Sequence, residues 1–511
     1  MIRRLAGLLA VVALAVGAAQ AQDELVIAFQ GGAATLDPMM RNETTTISWQ
    51  RHIFDNVTAF DREGNVVPGI ATSWENVDPT TWHFEIRQGV TFHDGTPMTA
   101  EDVAFSIDRA ATHPMSEMRG GLSTFEAATA LDADTVEVTT TAPDPLMPAN
   151  LDYVRVIPQA LIEEVGEEAF AENPVGTGPY VFQDWLAEDY LQLEANPDYW
   201  GGAPAYDDVR LTAIPNGATR VAALLSGEVD MAVTVLPQDV PRVEAASDAY
   251  VSQVPGLRVI YLALDDVRED TPGMSEPNPF LDTRVRQAVF HAIDMDTIAD
   301  RIMSGASTPA SQFLAPFNEG YVEDLERPAY DPDRARELLA EAGYEDGFTV
   351  RLDAPNDRYL NDALIAQAVG GQLGEVGIDV EVNAVPRAVF FPEHFNNGNS
   401  TMAISGWASN NTGATLNGIF HCWDEDAGLG RFNPFWYCNE EVDAMIAEAI
   451  TIFDADERAA AFGEIIEKSQ TEDVAYVPLH YQNQVVAVAE GLDFEARGDG
   501  YVFATDVTPA D

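Results

Sequence analysis

Lysine is almost absent from this chain, and Lys468 is the only one in 511 residues. The other basic residues are arginine, 27 Lys+Arg in all against 84 Asp+Glu, for a formal charge of -57 at pH 7. A field of that sign repels nucleic acid and anionic membrane surfaces, so neither is expected as a partner. Such a surface suits high salt, where screening within a few ångströms makes self-repulsion tolerable, so a halophile or marine origin is expected. The plainer alternative is an acidic exported protein with no salt requirement. Cysteine is scarce too, with Cys422 and Cys438 the only two. Long apolar runs are missing after the N-terminus, where Arg3-Arg4 precede Leu5 to Ala19 and Ala19-Gln20-Ala21 follows as a small-x-small pattern. That run is short of the ~20 residues a membrane helix needs and is read as a signal peptide over 1–21, cleaved after Ala21. The mature product is expected in the periplasm, where disulfides persist.

Chemistry-bearing motifs are also few. The chain has no HExxH and no Ser-His-Asp grouping with a supporting motif, and Asn173 to Tyr180, though Gly-rich, lacks the lysine of a phosphate loop. His93-Asp94 stands beside the tight turn of Asp94-Gly95 and is read as structural. No enzyme activity, cofactor or metal site is expected; a secreted hydrolase is the remote alternative.

What is present is α/β patterning. Leu25 to Phe29 is a compact apolar strand, and Thr80 to Ile86 alternates with Trp82, Phe84 and Ile86 on one face. Thr99 and Asp102 form a capping box before a helix burying Val103, Ile107 and Ala110. Asp331-Pro332 opens a helix carrying Ala335, Leu338 and Leu339. The strand Phe348 to Leu352, a helical face through Leu360, Leu364, Ala368 and Leu373, and the strand Ile378 to Val382 predict a βαβ unit with parallel strands. Val485 to Ala489 is the last apolar strand. About 490 mature residues exceed one core, so at least two domains are expected, interleaved by several chain crossings.

One stretch reads as lining for recognition. Met402-Ala403-Ile404 is a short strand predicted to break at Ser405-Gly406, followed by Trp407 and the uncharged run Ser409, Asn410, Asn411 and Thr412. Cys422 and Cys438 bracket a loop rich in Trp, Phe, Tyr, Gly and Pro. A bridge between them removes denatured-state entropy of about 3 kcal/mol; two buried free thiols are the alternative.

The run GVTFHDGTPMTAEDVAFSIDRA from Gly89, with Pro68 to Glu75 before it, resembles the family 5 extracellular solute-binding proteins, the dipeptide and oligopeptide receptors of ABC importers. The likeness continues through Asn173 to Tyr180, Asn196 to Gly202, Ala222 to Asp230 and Val285 to Asp294. The resemblance implies a two-lobed periplasmic binding protein of class II with an extra domain, with mixed sheets flanked by helices. Lobe I would take 22–60, 182–267 and 481–511; the extra domain 61–181; and lobe II 279–480. It also implies a carboxylate-binding arginine at Arg358, which a guanidinium suits by its planar fork. Ligand contacts are implied further at Gly31, Trp407 and the run Ser409 to Thr412.

Family members for dipeptides carry aspartates just after the Gly-Trp, one of them for the peptide's amino terminus. Here no acid follows Gly406-Trp407 until Asp424. An amide cannot supply the charge that pairs with a desolvated ammonium, so a plain dipeptide is disfavoured. A longer or modified peptide, a glutathione-like γ-peptide or an oligosaccharide remains, as does a metal chelate or haem because His421 adjoins Cys422. The partners implied are one small organic solute and ABC permease subunits in the inner membrane, with the receptor a monomer.

Overall fold

A computed structural model describes residues 24–272, 274, 277–393 and 397–510. The expected signal peptide and its cleavage site lie outside the described residues. One large mixed sheet dominates. Its strands run in the order Ile378–Val385, Phe348–Pro355, Met402–Trp407, Ala249–Leu264, Tyr476–Ala489, Met231–Val233, Glu24–Phe29, Asp208–Ala213, Tyr190–Ala195 and Tyr180–Leu186. Glu24–Phe29 lies parallel to Asp208–Ala213, and Phe348–Pro355 lies parallel to Ile378–Val385 across the helix Asp362–Glu375, which is the expected βαβ unit.

Two of these strands are long enough to serve both halves of the molecule. Ala249–Leu264 and Tyr476–Ala489 pair antiparallel along nearly their whole lengths, with the register broken between Val254 and Arg258. Gly256 sits in that break because an added Cβ would fall 2.3 Å from the Gln482 carbonyl oxygen. A local bulge of this kind bends a strand pair and concentrates twist.

A separate four-stranded antiparallel sheet, ordered Ala71–Asp78, Thr81–Ile86, Thr135–Thr140 and Phe125–Ala130, carries the helix Ala100–Thr112. Thr99 and Asp102 cap that helix reciprocally, as expected. Val103, Ile107, Phe84 and Val138 join one continuous apolar cluster with Leu25, Ile27, Trp49 and Leu211, so this sheet shares a core with the strand that opens the chain. Near the expected domain limits, a hairpin of Thr58–Phe60 with Val66–Pro68 spans residue 60, and Tyr180–Leu186 spans residue 181. His93 Nε2 bonds the Gly178 carbonyl at 3.0 Å, a structural role. Among the described residues no helix is long and apolar enough to cross a membrane.

Two expectations need correction. The strand from Met402 does not break at Ser405-Gly406; both residues pair with Tyr261 and Ile260, and the strand runs on to Trp407. The long neighbour Ala249–Leu264 continues past this point and carries the ladder through the glycine, while pairing with Phe348–Pro355 ends at Ala403. In the helix Asp362–Glu375 the buried face is Ile365, Ala366, Val369 and Leu373, while Leu364 is 48% exposed. The helix begins at Asp362, so Leu360 belongs to the preceding loop and cannot set the helical phase.

Candidate ligand-binding site

The strand Met402–Trp407, the loop Asn356 to Asn361, the segment Arg41 to Thr44 before the helix Thr44–Gln50, and the bulge at Arg258 converge on a cavity of about 290 Å³. Its wall takes residues of the strands Ala249–Leu264 and Met402–Trp407 and of segments that follow Glu24–Phe29, Phe348–Pro355 and Ile378–Val385. Arg358, Tyr359, Trp407 and Phe391 face Arg41, Glu43, Tyr153 and Tyr501.

The Arg358 loop is locally pinned. Asp362, at the first turn of its helix, accepts the backbone N–H groups of Arg358 and Tyr359 at 2.9 and 3.0 Å. Burial raises the Asp362 carboxyl to about 6, against the lowering effect of the N–H groups of Tyr359, Arg358 and Ala363. Asn361 adopts a left-handed φ of 55°, held by its side-chain bonds to Gln238 and the Ile302 carbonyl. Leu360 N–H donates to Gln482 Oε1 at 2.9 Å, tying the loop to the long shared strand. The phenol of Tyr359 accepts Gly406 N–H at 2.9 Å, which fixes loop and strand relative to each other.

Trp407 closes the strand side. Its Nε1–H donates to Thr415 Oγ1 at 2.9 Å and its ring lies 5.1 Å from Phe432. Phe432 belongs to the aromatic loop, whose ends are joined by a disulfide between Cys422 and Cys438. Trp423, next to that bridge and 40% exposed, also borders the cavity.

The electrostatics depart from the rest of the acidic molecule. Arg41, Arg258, Arg358 and Arg431 line the cavity with only Glu43 and Glu117 among them. Burial would raise the Glu43 carboxyl, but Arg358, Arg387 and Arg41 outweigh it and bring the group to about 2. Its contacts are Arg387 Nη1 at 3.3 Å, Arg358 Nε at 3.3 Å and Thr46 Oγ1 at 3.0 Å. Arg387 reaches across to Glu188 and the Gly32 carbonyl as well.

Of the sequence-derived candidates, Arg358 and Trp407 line this cavity, and the others stand behind it or away from it. Ser409 Oγ bonds the phenol of Tyr153, a lining residue, at 2.9 Å. Asn411 caps the helix Thr412–Thr415 and donates to Asn150 Oδ1 at 2.7 Å. Thr412 Oγ1 donates to the Glu319 carbonyl at 2.8 Å. Asn410 lies toward Gly64, with its Oδ1 3.6 Å from where that glycine's Cβ would be. Gly31 lies under the Arg387 guanidinium, 2.2 Å from Nη2 to an added Cβ. His421, raised as a chelate hint, bonds the Cys422 carbonyl and pairs with Asp443 at 3.6 Å. Among the described residues no cluster of three or more His, Cys, Asp or Glu is arranged to hold a metal ion.

Sequence reasoning missed Arg41, Glu43, Arg258, Tyr359 and Arg431. Arg258 alone had a visible signal, as the one charge in the apolar run Leu257 to Leu264.

Residues 65–426 match the family described as bacterial extracellular solute-binding proteins, family 5 Middle. The chain is 26% identical over 490 residues to heme-binding protein A of Haemophilus influenzae, covering 88% of this chain and 84% of that protein. It is 26% identical over 522 residues to the dipeptide-binding protein of Escherichia coli, covering 95% and 93%. The periplasmic binding protein DppA of Helicobacter pylori, solved with the peptide STSA, has the same fold at a TM-score of 0.86, with 24% identity over 96% of this chain and 98% of that one.

Proposed function

Because the chain belongs to the family 5 bacterial extracellular solute-binding proteins, we propose that it is the capture receptor of an ABC importer, taking a peptide-like organic solute between its two lobes and delivering it to an inner-membrane permease. The observation that carries the reading is the Arg358 guanidinium in the cavity wall. Its Nε pairs with Glu43 Oε1 at 3.3 Å, its two Nη groups make no hydrogen bond to protein among the described residues, and it sits beside aromatic rings suited to a ligand's apolar parts. The ligand's carboxylate docks on Arg358, and Trp407 and Tyr359 cover its body. The two long shared strands, softened at Gly256, carry the closing motion, which is driven by the ligand's preference for the closed form. Cleavage after Ala21 releases a monomeric receptor into the periplasm. Lobe I takes 22–60, 182–267 and 481–511, the extra domain 61–181, and lobe II 279–480.

Two measurements test this together. Mass spectrometry of the solute released on denaturing the purified protein is expected to find an organic acid of about dipeptide size. Small-angle scattering is expected to show compaction when that solute is returned to the stripped protein. Stoichiometric haem iron or nickel in place of an organic solute replaces the peptide-like reading with a chelate one. Absence of compaction with any solute removes the receptor reading itself.

A further inference from the structure

Some buried arginines elsewhere in this chain spend nearly all their donors on the protein, although Arg155 Nε and Arg327 Nη2 are also buried without a partner. Arg220, 2% exposed, donates to the carbonyls of Val233, Ile214, Pro215 and Thr234. Arg286 donates to the carbonyls of Asp473 and Phe280 and to Thr283 Oγ1. Such side chains are framework.

The four cavity arginines behave differently. Five N–H groups per guanidinium give them about twenty donors. Among the described residues two hydrogen bonds to protein use them: Arg258 Nη2 to Thr44 Oγ1 at 2.8 Å and Arg41 Nη1 to Glu117 at 3.4 Å. The Nε atoms of Arg41, Arg358 and Arg431 are buried with no hydrogen-bond partner. Arg258 is 5% exposed and has no carboxylate within ion-pair distance among the described residues. It nevertheless shares the Tyr359 ring with Arg358, their guanidinium carbons 5.8 and 5.2 Å from its centre. Glu43 Oε1, 3.3 Å from Arg358 Nε, answers one of these two charges, and the other, held against the same ring, is costly unless a further anion arrives.

The cavity's carboxylates are meanwhile occupied. Glu43 accepts from Thr46 on one oxygen and Arg387 on the other. Glu117 accepts Asn42 N–H at 2.7 Å on one oxygen and faces both Arg41 and Arg431 with the other, at 3.4 and 3.6 Å. An incoming ammonium finds cations in surplus and no acid to spare.

From this geometry we infer that the solute carries at least two anionic groups and no free ammonium: a polycarboxylate such as an amino-blocked acidic dipeptide, one carboxylate falling to Arg358 with Arg258 and a second to Arg41 with Arg431. The inference rests on the receptor reading and narrows its ligand class. It sets aside neutral oligosaccharides, plain dipeptides and free glutathione.

Calorimetry on the ligand-stripped full mature chain, at fixed salt, tests it with three probes: N-acetyl-glutamyl-glutamate, glutamyl-glutamate and alanyl-alanine. The acetylated probe is expected to bind at least tenfold more tightly than its free-amine counterpart, with alanyl-alanine weakest. Arg258→Gln is expected to lose tenfold or more for the acetylated probe, with an unchanged circular dichroism spectrum. Arg431→Gln, at a partly exposed position, gives the same readout should the first variant fail to fold. Equal or tighter binding of either probe bearing an ammonium overturns the inference, as does binding of none of the three. In each of those cases the receptor reading stands or falls separately, on compaction with the co-purifying solute.

Discussion

At the scale of single residues, the site rests on where a small number of positive charges are placed. Arg358 was legible because a resemblance pointed at its loop; Arg41 and Glu43 were not, since the run Met40-Arg41-Asn42-Glu43-Thr44 has no periodicity that separates a cavity wall from an exposed turn. The polar run Ser409 to Thr412 shows the opposite failure. Its residue types suit recognition, yet a chain turning sharply after a strand spends the same side chains on caps and backbone carbonyls. Glu43 gives the clearest test. Its carboxyl, held at about 2, lies below the ordinary value of 4.5, so its contribution to stability is complete above about pH 4.5 and is lost as pH falls toward 2. Glu43→Gln should therefore destabilise the protein by about 2 to 3 kcal/mol at neutral pH, with the gap to wild type closing as melts are taken at progressively lower pH. Parallel pH profiles for the two proteins would mean that the carboxylate is not tied to its arginines.

At the scale of elements, strands and capped helices were largely legible because their signals are local. The alternation through Trp82, Phe84 and Ile86 and the Thr99–Asp102 box each appear as expected. What stayed hidden depended on partners far away in sequence: the continuation of Met402–Trp407 through its glycine, and the phase of the helix after Asn361. The long strand Tyr476–Ala489 contains a similar surprise. His480 is wholly buried, and neither ring nitrogen has a hydrogen-bond partner. Burial, helped by the nearby Arg327 charge, lowers its pKa to about 3, so the ring is neutral in the fold. The unfolded chain takes up the proton near pH 6.5 and the fold resists it, so stability is full above that pH and falls as acid is added. An unpaired buried polar ring costs about 1 to 3 kcal/mol. His480→Met, similar in volume and without those nitrogens, is expected to raise the unfolding free energy by about 1 kcal/mol at pH 7 and by more at pH 5. A loss of stability at both pH values would show that the ring has a partner in solution.

At the scale of the whole molecule, the distribution of charge connects the surface to the site. With a formal charge of -57, the surface repels itself at every distance shorter than the screening length, which is about 8 Å at physiological salt and about 3 Å at 1 M. Lys468, the only lysine, is bound to Glu441 and Glu472, and many of the arginines are committed to carbonyls or single carboxylates. Few cations are left to neutralise the exterior, so counterions must do it. Raising NaCl from 0.05 to 1 M should therefore raise the melting temperature by several degrees in a monotonic curve, because self-repulsion weakens more than exposed ion pairs lose. The internal Arg41, Arg258 and Arg358 cluster opposes this trend locally, since salt also screens the anionic solute proposed above from these arginines. The affinity of the co-purifying solute should accordingly fall over the same range in which stability rises. Differential scanning calorimetry and titration calorimetry on one salt series separate the two effects. A protein that is most stable at the lowest salt would show that its acidic surface is no adaptation to ionic strength.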